Sequence, residues 1–146
     1  MNKQVVILIA DDDEGHQLLV RRNLRKAGIG NKFLFFSDGQ EILDYLFKNH
    51  DEPNVKNGES YLLLLDIRMP KVSGIEVLEQ VKKDPKLKRI PVIMLTTTDD
   101  PREINRCHQL GCNFYITKPI EYTDFIDKIR NMGLYLTIVE MPRIEE

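Results

Sequence analysis

Acidic, hydroxyl and amino side chains stand directly after four apolar runs of this sequence. Asp11 and Asp12 follow one run, Asp66 another, Thr96 the next and Lys118 the last. If these runs are parallel strands, their carboxyl ends meet at one edge of one sheet. Three carboxylates at that edge would repel one another unless they bind a cation. The pattern therefore predicts a divalent-cation site in which one aspartate accepts a phosphoryl group.

Each residue type has a use in that chemistry. Mg²⁺ prefers carboxylate oxygens and retains several waters, so one phosphate oxygen can join its ligands. The carboxylate of Asp66 could then attack phosphorus and form an acyl phosphate. Lys118 would stabilise charge on the oxygens of the transferred group, and Thr96 would offer them a hydroxyl donor. The sequence thus predicts a phosphoryl-transfer site with Mg²⁺ as cofactor.

The elements that must position these residues alternate five times between strand and helix. Apolar runs predict strands at residues 5–10, 33–36, 61–65, 91–95 and 114–117, each followed by helical spacing. The polar stretch from His50 to Ser60 predicts a long surface loop. Such alternation indicates βαβ units with parallel pairing and right-handed crossovers. We expect an α/β fold, a doubly wound five-stranded parallel sheet with helices on both faces.

Length and composition bound the alternatives. A chain of 146 residues with 42% hydrophobic and 30% charged residues is typical of one globular domain. A net charge of −2 gives no basic surface for nucleic acid, and no apolar stretch reaches the ~20 residues needed to span a membrane. Because the N-terminus runs straight into a strand pattern, we expect no signal peptide. Cys107 and Cys112 fit a reduced, cytoplasmic protein.

Four motifs, in order, resemble those of a known family. ILIADDDEG, LLLLDIRMPKVSG, VIMLTTTDD and YITKP are similar to the receiver domain of two-component response regulators, over essentially the whole chain. The resemblance implies the flavodoxin-like strand order 2-1-3-4-5. It implies one receiver domain over residues 1–146, with its core at about 4–132, a C-terminal helix and tail at 121–146, and no output domain.

The resemblance also implies the metal and phosphorylation site. Asp66 would be the phosphoacceptor and a Mg²⁺ ligand, and Asp12 would bind the ion directly. Asp11 would hold the ion partly through water, and the backbone carbonyl of Arg68 would be a further ligand. We expect a signalling module that takes part in its own phosphorylation and slow dephosphorylation, not an enzyme.

Further residues take roles in phosphate binding and switching by the same resemblance. Thr96 would be the switch hydroxyl, Lys118 the phosphate-binding cation and Thr97 a backbone contact to the phosphoryl group. Tyr115 would be the aromatic residue that changes rotamer on phosphorylation. The peptide between Lys118 and Pro119 resembles the family's cis peptide.

Within the family, the chain resembles the stand-alone regulators that partner bacterial phytochrome photoreceptor kinases. The features that suggest this are the loop at residues 51–58, the run Thr96-Thr97-Thr98 and the tail sequence IVEMP. The resemblance implies a histidine kinase partner, a phytochrome photoreceptor, and a downstream protein target.

The C-terminal segment is more apolar than one helix face of a small domain requires. Its apolar residues are Phe125, Ile126, Ile129, Met132, Leu134, Tyr135, Leu136, Ile138 and Val139. Such a surplus indicates a partner surface. We expect a symmetric homodimer through the fourth helix, fifth strand, fifth helix and tail.

Two other functions would use some of the same residues. A Mg²⁺-dependent phosphohydrolase of the haloacid-dehalogenase type would read Asp11 and Asp13 as nucleophile and acid, but the chain has no cap domain. A flavodoxin-like cofactor binder would need a phosphate loop after the first strand, and none is present. His16 and His50 are expected to face solvent.

Overall fold

The computed structural model describes residues 1–48 and 52–145, and its elements alternate as expected. The strands are β1 (Val6–Ala10), β2 (Phe33–Phe36), β3 (Phe47–Lys48), β4 (Glu52–Pro53), β5 (Tyr61–Leu65), β6 (Val92–Thr96) and β7 (Phe114–Thr117), and the helices are α1 (Glu14–Lys26), α2 (Gly39–Leu46), α3 (Gly74–Lys83), α4 (Pro101–Leu110) and α5 (Tyr122–Leu136). A 3₁₀ turn at Leu87–Arg89 follows α3.

Five of these strands form one parallel sheet in the order β2-β1-β5-β6-β7. Apart from the short strands β3 and β4, this is the predicted 2-1-3-4-5 order, so the predicted fold class is confirmed. Every residue of β5 and β6 is buried, as expected of central strands covered by helices on both faces. Among the described residues, no helix is both long and apolar enough to cross a bilayer.

The sheet separates two apolar cores. Side chains of α1 and α5 pack on one face, where Val20 and Leu24 meet Phe125 and Ile129. Side chains of α2, α3 and α4 cover the other face, on which Leu78 is fully buried. Helices on both faces follow from right-handed crossovers on either side of β1.

Polar caps fix where the helices begin. Asp13, Asp38, Ser73 and Asp100 each accept a hydrogen bond from a backbone N–H in the first turn of the following helix. Gly111 ends α4 at φ 104°, a left-handed conformation that glycine adopts without strain. Because helices start at these caps, the segments between strand ends and helices are short and hold the polar residues at the sheet edge.

Two local expectations are wrong. The predicted loop at residues 50–60 contains the short strand β4, which pairs antiparallel with β3 before the loop, Pro53 opposite Phe47. His50 and Asp51, which were part of that loop, lie outside the described residues. The described residues contain no cis peptide bond, so Lys118–Pro119 is trans. The trans isomer is the intrinsically favoured form of an X–Pro bond, by about 0.5–1 kcal/mol.

The tail after α5 returns to the domain. Ile144 is 1% exposed and packs in the core beneath α2 and α3. Its backbone N–H donates to Glu59 and its carbonyl accepts from Gly58, both at 2.8 Å. Part of the apolar surplus in the C-terminal segment is therefore buried within the chain, whereas Leu134, Tyr135 and Ile138 remain exposed.

Candidate functional site

Strand register brings the three aspartates together. Ala10 pairs with Leu65, so Asp11 and Asp66 both leave the sheet at the same level on adjacent strands. The Asp66 N–H donates to the Ala10 carbonyl at 3.0 Å, which continues the ladder into the site. One carboxylate oxygen from each of Asp11, Asp12 and Asp66 lies within 4.8 Å of the others. The predicted acidic cluster therefore exists at the predicted edge.

The three carboxylates differ in their surroundings. Asp11 and Asp66 are buried, at 4% and 6% exposure, while Asp12 is exposed. One Asp66 oxygen, Oδ1, accepts from the N–H of Ile67 at 2.7 Å. Asp11 Oδ1 accepts from the N–H of Asp13 at 2.9 Å. The cluster is thus held by backbone donors on one side and open to solvent at Asp12.

Lys118 neutralises the buried part of the cluster. Register between β6 and β7 pairs Thr96 with Thr117, so Lys118 follows at the same edge. Its Nζ is 2.5 Å from Asp11 Oδ2 and 3.2 Å from Asp66 Oδ2. An ammonium this close to two buried carboxylates compensates charge that would otherwise be costly to bury.

Burial nevertheless dominates the titration of one aspartate. Desolvation raises the pKa of Asp11 above its ordinary value, the proximity of Asp66 adds to that rise, and Lys118 opposes it. A bound cation would act in the same direction as Lys118 and lower the pKa of Asp11.

Thr96 lies at the end of β6, where the sequence placed it. Its side chain is fully buried, and its Oγ1 has no hydrogen-bond partner within residues 1–48 and 52–145. A buried hydroxyl without a partner is uncommon and costs free energy. Thr97, the next residue, is exposed. The edge thus presents a hydroxyl whose hydrogen-bonding capacity is unused.

Tyr115 connects β7 with the loop after Thr96. Its hydroxyl donates to the Thr98 carbonyl at 2.7 Å, and its ring is half-buried. Burial raises the pKa of this phenol to about 12. The residue that was expected to act as a switch is therefore hydrogen-bonded to the loop that follows the expected switch hydroxyl.

An ion pair joins the segment after Asp66 to helix α4. Arg68 Nη2 is 3.0 Å from Glu103 Oε1, and the other Glu103 oxygen accepts from Thr98 Oγ1 at 2.6 Å. The Glu103 carboxylate thus joins α4 to the segment after Asp66 and to the loop after Thr96.

His16 is a site residue that sequence reasoning missed. Its Nδ1 lies 3.0 Å from Lys118 Nζ, so the expectation that its side chain faces solvent is wrong. The contact joins residues 102 positions apart in the sequence. A single histidine early in a helix gives no sign of such a partner, because only the crossover of the chain brings α1 and the β7–α5 loop together.

The arrangement also removes the phosphohydrolase alternative. Asp13, the acid of that hypothesis, caps α1 by accepting from the His16 N–H at 3.1 Å. Its carboxylate is therefore engaged at the helix start, and Asp13 is not one of the three aspartates whose oxygens cluster at the sheet edge.

Solved structures of similar chains share this architecture. A response regulator receiver domain from Rhodospirillum rubrum superposes with a TM-score of 0.93 at 44% identity, covering 97% of this chain and 100% of that one. The phosphorylated cyanobacterial phytochrome response regulator RcpA superposes with a TM-score of 0.80 at 28% identity, covering 95% and 99%.

Response regulator Rcp1 of Synechocystis sp. is 31% identical over 147 residues, covering 97% of this chain and 95% of that protein. The Mn²⁺-bound structure of Rcp1 superposes with a TM-score of 0.81 at 30% identity, covering 94% and 99%. Residues 7–130 match the response regulator receiver domain, from β1 into α5. With the sheet order and the acidic edge in place, this match shows that the chain belongs to the response regulator receiver domain family.

Proposed function

We propose that this receiver domain accepts a phosphoryl group from a partner histidine kinase on Asp66 and signals through the resulting change in its surface. The observation that carries the proposal is the position of Lys118, whose ammonium lies between the carboxylates of Asp66 and Asp11. A carboxylate beside a fixed cation and two further acids has the groups that phosphoryl transfer requires. The family is one of signalling modules, so the phosphoryl group would act as a signal carried by the protein and would not be released as the product of an enzyme.

The donor set fits a divalent cation. Three carboxylates with oxygens within 4.8 Å of one another are hard ligands of the kind that Mg²⁺ prefers. Asp12, Asp66 and the backbone carbonyl of Arg68 would hold the ion, with Asp11 contributing partly through water. When bound, Mg²⁺ would neutralise negative charge on the phosphoryl oxygens. The Mn²⁺-bound form of Rcp1 supports a metal of this class in the same fold.

The transfer itself uses the residues of the chain. A carboxylate oxygen of Asp66 attacks phosphorus, the bond between phosphorus and the kinase imidazole nitrogen breaks, and the electron pair returns to that nitrogen. Lys118 and the backbone N–H of Thr97 would bind the oxygens of the transferred group. The protein contributes mainly position and charge, as in other phosphoryl transfers.

The change in surface would begin at Thr96. Its unpartnered hydroxyl is free to donate to a phosphoryl oxygen on Asp66. Movement of Thr96 would also move the loop that contains Thr98. The Tyr115 hydroxyl donates to the Thr98 carbonyl and would be displaced with it. Tyr115 would then change rotamer and alter the surface formed by α4, β7 and α5. Coupling of this kind is typically worth about 1–3 kcal/mol.

The proposed partners are inferred from the similar proteins and from the exposed apolar surface of this chain. The likeness to RcpA supports a phytochrome photoreceptor as the kinase. Exposed Leu134, Tyr135 and Ile138 on α5 and the tail, beside exposed Phe114 on β7, support a homodimer through α4, β7, α5 and the tail. A downstream protein target would read the same surface. The free thiols Cys107 and Cys112 support a cytoplasmic location.

The test of phosphorylation is incubation with acetyl phosphate, with Mg²⁺ and with a chelator, followed by intact-mass measurement and mapping of the labelled residue. We expect one phosphoryl group on Asp66, which needs Mg²⁺. Asp66→Asn should remain unlabelled, whereas Asp127→Asn on the exposed side of α5 should label normally. A labelled Asp66→Asn protein, or labelling that is indifferent to the chelator, would contradict the proposal.

The test of the dimer is light scattering at tens of micromolar protein, before and after phosphorylation. We expect a dimer mass in at least one state and its loss in Leu134→Glu. A matched change at exposed Leu18 on α1, Leu18→Glu, should leave the mass unchanged. A monomer mass for the parent protein in both states would contradict the dimer.

A further inference from the structure

His16 joins the first helix to the cation of the phosphorylation site. It lies in the first turn of α1, and its Nδ1 is 3.0 Å from Lys118 Nζ. The imidazole packs edge-on against the ring of Phe125 in α5, with centroids 5.2 Å apart and planes at 81°. The side chain is 31% exposed, so about two thirds of its surface is enclosed by these neighbours.

The contacts of Lys118 define the state of that imidazole. A lysine ammonium has three N–H donors and no lone pair. Its three side-chain contacts are Asp11 Oδ2, Asp66 Oδ2 and His16 Nδ1. Because the ammonium can only donate, Nδ1 must carry the lone pair. That hydrogen bond requires the tautomer with the proton on Nε2, which lies 3.5 Å from Asp13 Oδ2.

We propose that His16 is a positioning residue for phosphoryl transfer, whose Nδ1 holds the Lys118 ammonium in place by accepting a hydrogen bond from its third N–H. The inference rests on the proposed function of Asp66. Phosphorylation converts the Asp66 carboxylate into an acyl phosphate, so that acceptor changes its charge and shape during the reaction. The imidazole is not altered by the transfer, and Phe125 fixes its orientation. His16 thus gives Lys118 an acceptor that persists on both sides of the step.

A pair of variants separates this role from simple packing. His16→Phe keeps an aromatic ring against Phe125 but has no acceptor for Lys118. His16→Asn loses the ring but places an amide oxygen near the position of Nδ1. A positioning role predicts that the Phe variant is impaired and the Asn variant is not. A packing role predicts the opposite order.

The measurement is the rate of Asp66 phosphorylation by acetyl phosphate with Mg²⁺, followed by intact mass. We expect His16→Phe to be roughly three- to tenfold slower than the parent protein, since one hydrogen bond of modest net strength is lost. His16→Asn should stay within about twofold of the parent, as should Leu18→Asn, the control on an exposed position of α1. Urea midpoints of all variants show that each is folded.

A second measurement needs no phosphorylation. Nitrogen-15 shifts of the His16 ring should report an unprotonated Nδ1 and a protonated Nε2, and Lys118→Ala should shift the Nδ1 signal, because it removes the hydrogen bond that this nitrogen accepts. A proton on Nδ1 in the parent protein would overturn the inference. So would a parent protein that is labelled on Asp66 at the same rate as His16→Phe. A parent protein that is not labelled at all would overturn the proposed function itself, and with it the role of His16.

Discussion

The side-chain hydroxyl of Thr96 is a buried polar group whose hydrogen-bonding capacity is not used in the unphosphorylated structure, because it makes no hydrogen bond within the described part of the chain. A buried polar group without a partner typically costs about 1–3 kcal/mol relative to a satisfied one. That cost would be recovered by a hydrogen bond to an oxygen within reach, which is what the proposed phosphorylation of Asp66 would supply.

Thr96→Val should therefore stabilise the unphosphorylated protein by about 1 kcal/mol, because it removes the unsatisfied hydroxyl and keeps the shape of the side chain. Thr98→Val is the matched contrast, since the Thr98 hydroxyl donates to Glu103 at 2.6 Å. The Thr98→Val variant should be destabilised by a similar amount, about 1 kcal/mol. Urea denaturation measures both changes. Equal destabilisation by the two substitutions would show that Thr96 has a partner in solution.

Tyr115 makes a contribution to the free energy of unfolding that changes with pH in the alkaline range. An unfolded tyrosine titrates near pH 10, and burial raises the pKa of Tyr115 to about 12 in the folded protein. The folded state therefore binds the phenolic proton more tightly than the unfolded state does. Its contribution to stability is fully present below about pH 10 and is lost as the pH rises from 10 to 12.

Tyr115→Phe should therefore destabilise the protein by about 1 kcal/mol at neutral pH, through loss of the hydrogen bond to Thr98. The difference between the two proteins should shrink as the pH rises above 10, because only the parent loses a term there. Urea midpoints at a series of alkaline pH values measure the difference. A gap that is constant across this range would contradict the raised pKa.

The turn between β5 and α3 positions Asp66, the proposed phosphoacceptor, through a close backbone approach. A Cβ on Gly74 would lie 1.9 Å from the Asp66 carbonyl oxygen and 2.9 Å from the Ile67 Cα. The Gly74 N–H donates to the Ile67 carbonyl at 2.8 Å. Helix α3 can start this close to the site only because its first residue has no side chain.

Gly74→Ala should destabilise the protein by about 1–3 kcal/mol, since the backbone beside Asp66 must move to admit the methyl group. The same shift should slow phosphorylation of Asp66. Gly30→Ala is the control, because no atom lies within 4 Å of a Cβ there. Its stability should change by less than about 0.5 kcal/mol. Equal urea midpoints for the two variants would contradict this account of the turn.

The sequence allowed the sheet and its functional edge to be predicted because the signals were local. Continuous apolar runs identified all five strands of the main sheet, and alternation with helices implied that they pair in parallel, whereas their order came from the resemblance to the receiver family. The acids and Lys118 then fell at strand ends without further information. Helix starts at Asp13, Asp38 and Asp100 were predictable from the residues that cap helices.

What could not be predicted depends on contacts between distant parts of the chain. The pairing of β3 with β4 involves two residues on each side, one of them Pro53, which disfavours a strand assignment. The contact of His16 with Lys118 and that of Glu103 with Arg68 join different crossovers. Neither leaves a periodic pattern in the sequence, because each concerns a single pair of side chains.

At the scale of the whole molecule, the C-terminal tail closes the end of the domain opposite the acidic edge. Ile144 enters the core, and backbone hydrogen bonds tie it to the segment before β5. Arg89 reinforces the closure by donating from Nε to the Arg143 carbonyl at 2.9 Å. The tail is thereby a structural part of the receiver, although the family match ends at residue 130.

Ile144→Ala should therefore destabilise the whole domain, because Ile144 is 1% exposed and its truncation leaves a cavity beneath α2 and α3. We expect a loss of about 2 kcal/mol, the lower end for such a change, since a chain end can relax toward the space. Ile138→Ala, on a side chain that is 77% exposed, should change stability by less than about 0.5 kcal/mol. Urea denaturation of both variants measures the two changes in the free energy of unfolding. If the two lose equal stability, the tail does not pack on the core in solution, and α5 alone completes the fold.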